Sequence, residues 1–255
     1  MSSPAYQQMA AELRSAIEDG TYPPGSALPK IVDLAQQYGV AKQTAREALA
    51  ELESEGLIDV TRRRGTIVRT RPVRRRLTRS RQIYRDERGY YFDPAAQPWT
   101  ALEPPTVTWA PAPHDIAALL GLPEGQERQD VLLRDRVMGE AATSTPMQLA
   151  TSYLPGSVAR GTRLAEKDTG PGGIYDLLEH TGHRPLSWTE AVSARMPTPT
   201  ESERLHLPRG VPLLRILRTT TGPDGTVLEI SDTRMSAETF EIGYNLTRHT
   251  SAQQT

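Results

Sequence analysis

A chain of 255 residues, with 37% hydrophobic and 24% charged residues and a net charge of −1, suits two domains of an ordinary soluble protein. The absence of cysteine excludes disulfides, thiolate metal sites and cysteine nucleophiles. No apolar run approaches the roughly 18–20 residues of a membrane span, and the first residues lack the pattern of a signal peptide, so a cytoplasmic location with no membrane partner is expected.

Positive charge is concentrated in one strip of the sequence. Residues 1–61 contain nine acidic and four basic residues, residues 62–88 contain two acidic residues and twelve arginines, and residues 89–255 contain twenty acidic and fourteen basic residues. A local band of arginine in an otherwise balanced chain is typical of proteins that bind duplex DNA.

Apolar residues at helical spacing predict three short helices before residue 57. Gly20, Gly39 and Gly56 follow these helices, and glycine is the usual residue just past a helix end. The apolar stripes are Tyr6, Met9, Ala10, Leu13 and Ile17 in the first helix, Ile31, Leu34, Ala35 and Tyr38 in the second, and Ala45, Ala48, Leu49 and Leu52 in the third.

Two strand-like runs follow the third helix. Leu57–Val60 and Gly65–Arg69 are joined by an arginine-rich loop, which predicts a hairpin with a cationic tip. A helix, a tight turn, a helix and a two-stranded wing together predict a winged helix-turn-helix over residues 1–70.

Fixed residues recur throughout this region. They are Gly20-x-Tyr22-x-Pro24-Gly25-x-x-Leu28-Pro29, Gly39-Val40, Thr44-x-Arg46-x-Ala48-Leu49-x-x-Leu52-x-x-x-Gly56-Leu57-Ile58 and Arg64-Gly65-Thr66-x-Val68. This pattern resembles the DNA-binding domain of the GntR family of bacterial transcription regulators, which implies that Arg46 contacts a phosphate. Ala41 stands where that family usually has a capping serine, and the missing cap is expected to cost about 1 kcal/mol of local stability.

The residues expected to contact DNA lie at the starts of the second and third helices and at the wing tip. The backbone N–H groups at helix N-termini favour phosphate oxygens. Once the third helix enters the major groove, the amide of Gln43 can pair with adenine and Lys42 can bind guanine. Arginine at a wing tip suits a narrow minor groove. The candidates are Lys30, Lys42, Gln43, Thr44, Arg46, Arg62, Arg63, Arg64 and Gly65. The alternative for each is an ordinary solvated side chain.

Residues 71–104 are expected to link the two domains. Arg74-Arg75-Arg76 is followed, from Tyr84 to Phe92, by arginines interleaved with aromatic residues. Two interpretations are open. The aromatic residues stack on single-stranded nucleic acid, or they form a latch that holds the linker on its neighbouring domain, which is the commoner arrangement.

Residues 105–247 are expected to form an α+β domain with an antiparallel sheet and helices on one face, followed by a tail at 248–255. Strands are predicted at 131–138, 147–154, 186–196, 213–220 and 226–231, and the last two form a hairpin. Helices are predicted at 115–122, 173–179 and 200–207. His180 and His183 are expected to cap a helix or lie on the surface rather than to bind a metal.

Further motifs extend over this half. They are Leu122-Pro123-x-Gly125, Arg134-x-Arg136, Pro146-Met147, Ser152-Tyr153-Leu154-Pro155, Ile174-Tyr175-x-Leu177-Leu178, Leu207-Pro208-x-Gly210-x-Pro212-Leu213-Leu214 and Gly225-x-Val227-x-Glu229. They are similar to those of the HutC subfamily of GntR regulators, whose UTRA effector domain has a chorismate-lyase-like fold. The segment from Asp168 to Tyr175 resembles actinobacterial members, some of which repress plasmid-transfer genes.

The resemblance implies that an acidic effector is held by paired arginines and by the loop before the helix at Ile174. Arg134 and Arg136 are two residues apart on a strand and so share a face, and a glycine-rich helix start offers N–H groups to an anion. On an outer face, both would be ordinary surface arginines. Ala150 stands where sugar-phosphate-binding relatives carry glutamate, so the effector need not be a phosphosugar. The candidates are Arg134, Arg136, Tyr153, Gly172, Gly173 and Glu229.

These features predict a DNA-binding transcription regulator with no cofactor, no metal and no catalytic residue. It is expected to be a repressor that binds a near-palindromic operator as a homodimer, controls plasmid-transfer or metabolic genes, and is released by a small effector. Two alternatives are open. One is a lyase-like enzyme with a DNA-binding tether, for which Glu190 and Glu229 are available carboxylates, and the other is a constitutive DNA binder without an effector.

Overall fold

The computed structural model describes residues 3–61, 64–79, 82–87, 89–92, 99–125, 130–170 and 172–248. The chain forms two compact units, each built from two stretches of sequence. The first unit comprises Met1–Val73 and Met196–Pro212, and the second comprises Arg74–Arg195 and Leu213–Thr255. Residues 196–212, which the sequence pattern places in the second domain, therefore belong to the first unit.

Helices and strands are interspersed along the chain. The helices of the described residues are α1 (Ala5–Glu18), α2 (Ile31–Gln37), α3 (Lys42–Ser54), α4 (His114–Leu119), α5 (Gly156–Ala159), a 3-10 turn (Arg163–Ala165), α6 (Gly173–His180) and α7 (Pro199–Arg204). The strands are β1 (Ile58–Thr61), β2 (Gly65–Val68), β3 (Arg75–Arg79), β4 (Ile83–Asp86), β5 (Gly89–Phe92), β6 (Thr100–Ala101), β7 (Thr106–Ala110), β8 (Val131–Glu140), β9 (Thr145–Pro155), β10 (Ser187–Arg195), β11 (Leu213–Thr221), β12 (Val227–Ser236) and β13 (Phe240–Tyr244).

Helices α1 to α3 and the antiparallel hairpin β1–β2 form the body of the first unit. The predicted winged helix-turn-helix is confirmed. Helix α2 begins at Ile31, and the backbone N–H of Leu28, three residues earlier, donates to the carbonyl of Thr66 in β2 over 2.8 Å. The wing is thereby bonded to the chain segment that enters the second helix.

The predicted apolar stripes build the core of this unit. Each large apolar side chain that is buried contributes roughly 1.5–3 kcal/mol, so this packing fixes which face of each helix is left to solvent. The buried residues are Met9, Ala10 and Leu13 of α1, Leu34 and Ala35 of α2, Ala45, Ala48, Leu49 and Leu52 of α3, together with Leu28, Ile58 and Val68.

Residues 196–212 pack on the C-terminal end of α3. Gly210 has φ +74°, and a Cβ at this position would lie 2.5 Å from the backbone nitrogen of Gly56. Nη1 of Arg209 lies 3.4 Å from Oε2 of Glu53. Since only glycine allows this backbone approach, residue 210 has to be a glycine for the segment to close over the end of α3.

A seven-stranded sheet is the centre of the second unit. Its order is β10-β11-β12-β9-β8-β6, with β7 also paired to β8, and all of these pairings are antiparallel. Outside the sheet, β3 runs parallel to β13, and β4 and β5 form a hairpin. The segment 71–104, expected as a linker, thus contributes strands β3 to β6 to this unit.

Helices cover both faces of the sheet. Leu178 of α6 shares a buried cluster with Leu132 of β8. Ile116 of α4 shares another buried cluster with the preceding residue of β8, Val131. Because neighbouring residues of a strand point to opposite faces, the two clusters lie on opposite sides. The α+β class is confirmed, but the prediction of helices on one face only is wrong.

The start of α3 has no side-chain cap. Ala41 occupies the N-cap position with φ −67° and ψ 150°, and no side chain bonds to the first turn from there. This extended backbone suits serine, whose hydroxyl accepts a hydrogen bond from an N–H group two or three residues further along.

Ala41→Ser is therefore expected to stabilise the first unit by about 1 kcal/mol, because the hydroxyl satisfies an open N–H of the first turn. Urea unfolding followed by circular dichroism measures the change. Ala50→Ser, at an exposed position inside the same helix, is the matched control and should destabilise it by about 0.5 kcal/mol. Equal effects of the two substitutions would contradict a capping role for residue 41.

Candidate nucleic-acid interface and effector cavity

The outer face of α3 carries three of the predicted DNA-contacting side chains. Lys42, Gln43 and Arg46 are exposed, whereas Ala45 of the same helix is fully buried. Nε2 of Gln43 donates to Oε1 of Glu47 over 3.1 Å. This bond between residues four apart holds the amide of Gln43 on the outer face, where a base edge can reach it.

Four cations of the first unit carry their charge without an ion pair. Within the part of the chain that the structure describes, no acidic side chain pairs with them. Arg14, by contrast, donates through Nε to Glu55 over 2.8 Å. Cations without protein partners are the groups that neutralise phosphates on binding to DNA. The four are Lys30, Lys42, Arg46 and Arg64.

Arg64 and Gly65 form the described part of the wing tip, and both are exposed. Oγ1 of Thr61 accepts a hydrogen bond from the backbone N–H of Arg64 over 3.2 Å, and Gly65 has φ +78°. A cation therefore stands beside a position that has no side chain. Arg62 and Arg63, predicted for the same tip, lie outside the described residues. Thr44, the remaining candidate, is partly exposed in the first turn of α3.

A cavity of about 180 Å³ opens on the α6 face of the sheet. Strands β8, β9, β11 and β12 and the start of α6 form its wall. Four of the six predicted effector-binding residues line it, namely Arg136, Gly172, Gly173 and Glu229. Residues that line it without having been predicted include Ser152, Tyr175, Arg218 and Ser231.

Arg136 presents an unsatisfied donor to this cavity. Nη2 donates to Oγ of Ser152 over 3.1 Å, whereas the buried Nε atom has no hydrogen-bond partner among the described residues. A buried donor without an acceptor costs roughly 1–3 kcal/mol. An acceptor atom of a ligand would remove this cost, so Arg136 is suited to bind an anion.

Arg134 does not line the cavity, although it shares the face of Arg136. Nη1 donates to the carbonyl of Leu164 (2.7 Å) and to that of Glu166, and Nη2 donates to the carbonyl of Lys167 (2.9 Å). Burial and, to a smaller extent, the charge of Arg136 lower the pKa of Arg134. Its guanidinium thus stabilises the chain at and after the 3-10 turn, and both of its Nη atoms are engaged in these bonds.

Tyr153 lies on the opposite face of the sheet from the cavity. It is buried in the cluster that includes Ile116 of α4, and burial raises its pKa. Ser152, its neighbour in β9, lines the cavity instead. The alternation of side chains along a strand separates the two residues, so the predicted contact of Tyr153 with an effector does not occur in this cavity.

Glu229 brings a carboxylate to the cavity wall. The residue is 1% exposed, and its Oε2 accepts a hydrogen bond from Oγ1 of Thr220 over 2.9 Å. Tyr175 lies nearby, and its pKa is raised by burial and by the charge of Glu229. The ring of Tyr175 packs edge-on against Trp188 with 5.5 Å between the centroids. The wall therefore offers a cation at Arg136 and an acceptor at Glu229.

Arg218 is a cavity residue that sequence reasoning missed. It is 7% exposed, and its Nε and Nη2 donate to Oε1 of Glu190 over 2.8 and 2.6 Å. Burial opposes its charge, but Tyr175 and Glu190 outweigh this effect and raise its pKa. The observed register pairs Thr220 with Glu229 and so puts Arg218 on the same face as Glu229, whereas the predicted hairpin specified its two arms but not this register.

The hairpin β4–β5 is attached to the start of α6. Nη2 of Arg85 donates to Oδ1 of Asp176 over 2.7 Å. Gly89 has φ +116°, and a Cβ there would lie 2.3 Å from Cα of Gly172. The described contacts of this predicted latch thus come from one arginine, Arg85, and one glycine, Gly89. The side chains of Tyr90, Tyr91 and Phe92 lie outside the described part of the structure.

No group of three or more histidine, aspartate or glutamate side chains in the described residues is arranged to hold a metal ion. None of the helices described has both the length and the apolar character needed to cross a membrane.

Two known families match the chain. Residues 5–68 match the bacterial regulatory proteins of the gntR family, and residues 106–241 match the UTRA domain. An HTH-type transcriptional regulator of Streptomyces coelicolor is 32% identical over 90% of this chain and 87% of its own length. The HTH-type transcriptional repressor NagR of Bacillus subtilis is 26% identical over 89% of this chain and 88% of its own length.

Solved structures agree with these matches. The crystal structure of a GntR-family transcriptional regulator superposes with a TM-score of 0.63 at 30% identity, over 97% of this chain and 99% of that one. PhnF from Mycobacterium smegmatis, at 20% identity and a TM-score of 0.50, shows the same fold over 94% of this chain and 100% of its own. The chain therefore belongs to the GntR family of bacterial transcription regulators, with a DNA-binding winged helix-turn-helix and an effector-binding UTRA domain.

Proposed function

We propose that this regulator is a repressor that binds a near-palindromic operator as a homodimer and leaves it when a small anionic effector occupies the cavity. The observation that carries the proposal is the set of unpaired cations on the helix starts and the wing of the first unit. NagR, a relative described as a repressor, supports repression as the mode of control. The proposed targets of the present regulator are plasmid-transfer or metabolic genes.

In the proposed complex, α3 lies in the major groove. Gln43 and Lys42 read base edges, and each bidentate contact contributes roughly 1–3 kcal/mol of discrimination. Lys30, Thr44 and Arg46 contact phosphates, and residues 62–65 follow the minor groove. The exposure of Lys42, Gln43 and Arg46 on one helix face supports this assignment.

We assign residues 1–70 to DNA binding and residues 105–247, apart from residues 196–212 of the first unit, to effector binding and dimerisation. Residues 71–104 connect the two functions and add strands β3 to β6 to the second unit, and residues 248–255 form a tail. The family matches over residues 5–68 and 106–241 support these limits. A regulator acts where its DNA lies, which supports a cytoplasmic location for the protein.

The proposed effector is an anion that also carries a hydroxyl or amine group. Its anionic end binds the free Nε of Arg136 and the N–H groups at the start of α6, where no atom lies within 4 Å of the position that a Cβ of Gly173 would take. Its donor group faces the carboxylate of Glu229, which has one oxygen engaged by Thr220. Ligand groups of both kinds match the mixed charge of the wall.

The homodimer and the near-palindromic operator are proposed together, because two equivalent recognition helices need half-sites about one helical turn apart. Strand β10 supports it as well, since it lies at the edge of the sheet and most of its residues are exposed.

Arg46→Ala is expected to weaken binding and to reduce the slope of log affinity against log salt by about 0.9, the value for one lost phosphate contact. Fluorescence anisotropy measures both on duplex DNA from the region around the gene, chosen by footprinting. Arg14→Ala is the matched control, because Arg14 is paired with Glu55 and should leave the slope unchanged. A wild-type slope in the Arg46 variant would remove this residue from the interface.

Arg136→Gln should weaken effector binding by about 10- to 100-fold, the factor for losing a hydrogen bond to a charged group, while operator affinity without effector stays at the wild-type value. The measured quantity is the concentration at which a metabolite, found by screening against the protein–operator complex, releases half of the DNA.

Arg160→Gln is the control for this experiment. Arg160 belongs to the same unit but is tied to Asp130 outside the cavity, so its loss should not alter release. Wild-type release by the Arg136 variant would exclude Arg136 as an effector ligand. A screen in which no metabolite releases the DNA would favour a constitutive DNA binder.

Sedimentation equilibrium of the full chain is expected to give twice the protomer mass of 28.2 kDa. The complex with DNA should contain the same mass of protein, which is two protomers for each operator. A protomer mass both in free solution and on the operator would exclude the homodimer.

A further inference from the structure

Glu190 lies between the cavity and the first strand of the second unit. It stands on β10 directly opposite Arg218 of β11. Its Oε1 atom accepts from Nε and Nη2 of Arg218 (2.8 and 2.6 Å) and from Nη2 of Arg79 (2.7 Å). One carboxylate oxygen therefore joins two arginines that come from distant parts of the chain.

The two arginines belong to different elements. Arg218 lines the cavity. Arg79 is the last residue of β3, and β3 begins two residues after Val73, where the N-terminal stretch of the first unit ends. Their exposed fractions are 7% and 9%. The backbone of Arg79 is paired with Tyr244 of β13, but its guanidinium, removed from water, keeps its acceptor only while Glu190 is held in place.

The position of the Glu190 carboxylate depends on its hydrogen bonds to other side chains. Its side chain is 24% exposed and has access to water as an alternative environment. The two N–H groups of Arg218 fix its Oε1 in the position that Arg79 uses. Loss of these two bonds would allow the carboxylate to rotate towards solvent and leave Arg79 without its acceptor.

We infer that Glu190 is a positioning residue that couples occupancy of the cavity to the attachment of β3. This inference rests on the proposed function, because it assigns a route by which the effector acts. An anion in the cavity competes with Glu190 for Arg218. Once Arg218 turns to the ligand, Glu190 no longer holds Arg79, and β3 loosens next to the chain that leads into the DNA-binding domain.

The coupling is reciprocal, since two linked equilibria shift each other by the same factor. Changes at Glu190 and Arg79 therefore alter the affinity of the cavity for its ligand, although neither residue lines the cavity.

Hydrogen exchange of the full chain, followed by mass spectrometry without DNA or effector, tests the route directly. Arg218→Gln imitates an Arg218 that has left Glu190, and the amides of β3 should exchange about 10-fold faster, the factor for losing a charged hydrogen bond that keeps a segment closed. Arg215→Gln is the matched control on the same strand. Arg215 donates to Asp232 and Asp115 rather than to Glu190, so exchange in β3 should not change.

The combined variant Glu190→Gln with Arg218→Gln completes the test. It should exchange in β3 no faster than Glu190→Gln alone, because both substitutions break the same connection. Arg218→Lys, which keeps the charge but lacks the double donation, replaces Arg218→Gln if the latter does not fold, and it should give a smaller increase.

Unchanged or slower exchange in β3 on loss of Arg218, or additive effects of the two substitutions, would overturn the coupling. Neither result would touch the DNA-binding and release experiments with the Arg46 and Arg136 variants. Failure of those experiments would in turn leave the exchange result standing, so the two proposals are tested separately.

Discussion

A guanidinium group that leaves water has to find acceptors, and this constraint separates the arginines of this chain by role. Arg134 uses backbone carbonyls, and Arg218 shares a carboxylate with Arg79. Arg136 keeps one buried donor without an acceptor among the described residues, a requirement that the fold does not meet, whereas Arg46 keeps its charge in solvent. Each of the two proposed ligand sites therefore contains an arginine that the fold leaves available to a ligand.

The parts of the fold that depend on local periodicity could be predicted from the sequence. Leu13, Leu34 and Leu49 are buried where the helical spacing puts them, because a stripe of apolar residues defines the inner face of a helix whatever it packs against. Gly39 and Gly56 end their helices with positive φ angles. Cations near the starts of α2 and α3 stay exposed, since the opposite stripe already fills the core.

Features that depend on strand register could not be predicted in this way. Arg134 and Arg136 share a face, but their surroundings differ. Arg134 binds carbonyl groups at and after the 3-10 turn, which is distant in sequence, whereas Arg136 faces the cavity. Tyr153 points away from the cavity because the even-numbered residues of β9, such as Ser152, face the cavity and the odd-numbered residues face the other side. Arg218 lines the cavity because β11 pairs with β12 in a register that places it opposite Ser231, and a shift of one residue would turn its side chain to the other face.

Residues 196–212 have a consequence for how such regulators can be recombined. The chain passes between the two units three times, after residues 73, 195 and 212, so the DNA-binding unit is not a simple N-terminal module. Gly210 meets the backbone of Gly56 too closely for any other side chain. A chimaera that takes its winged helix-turn-helix from another protein therefore has to bring the matching loop between β10 and β11 with it.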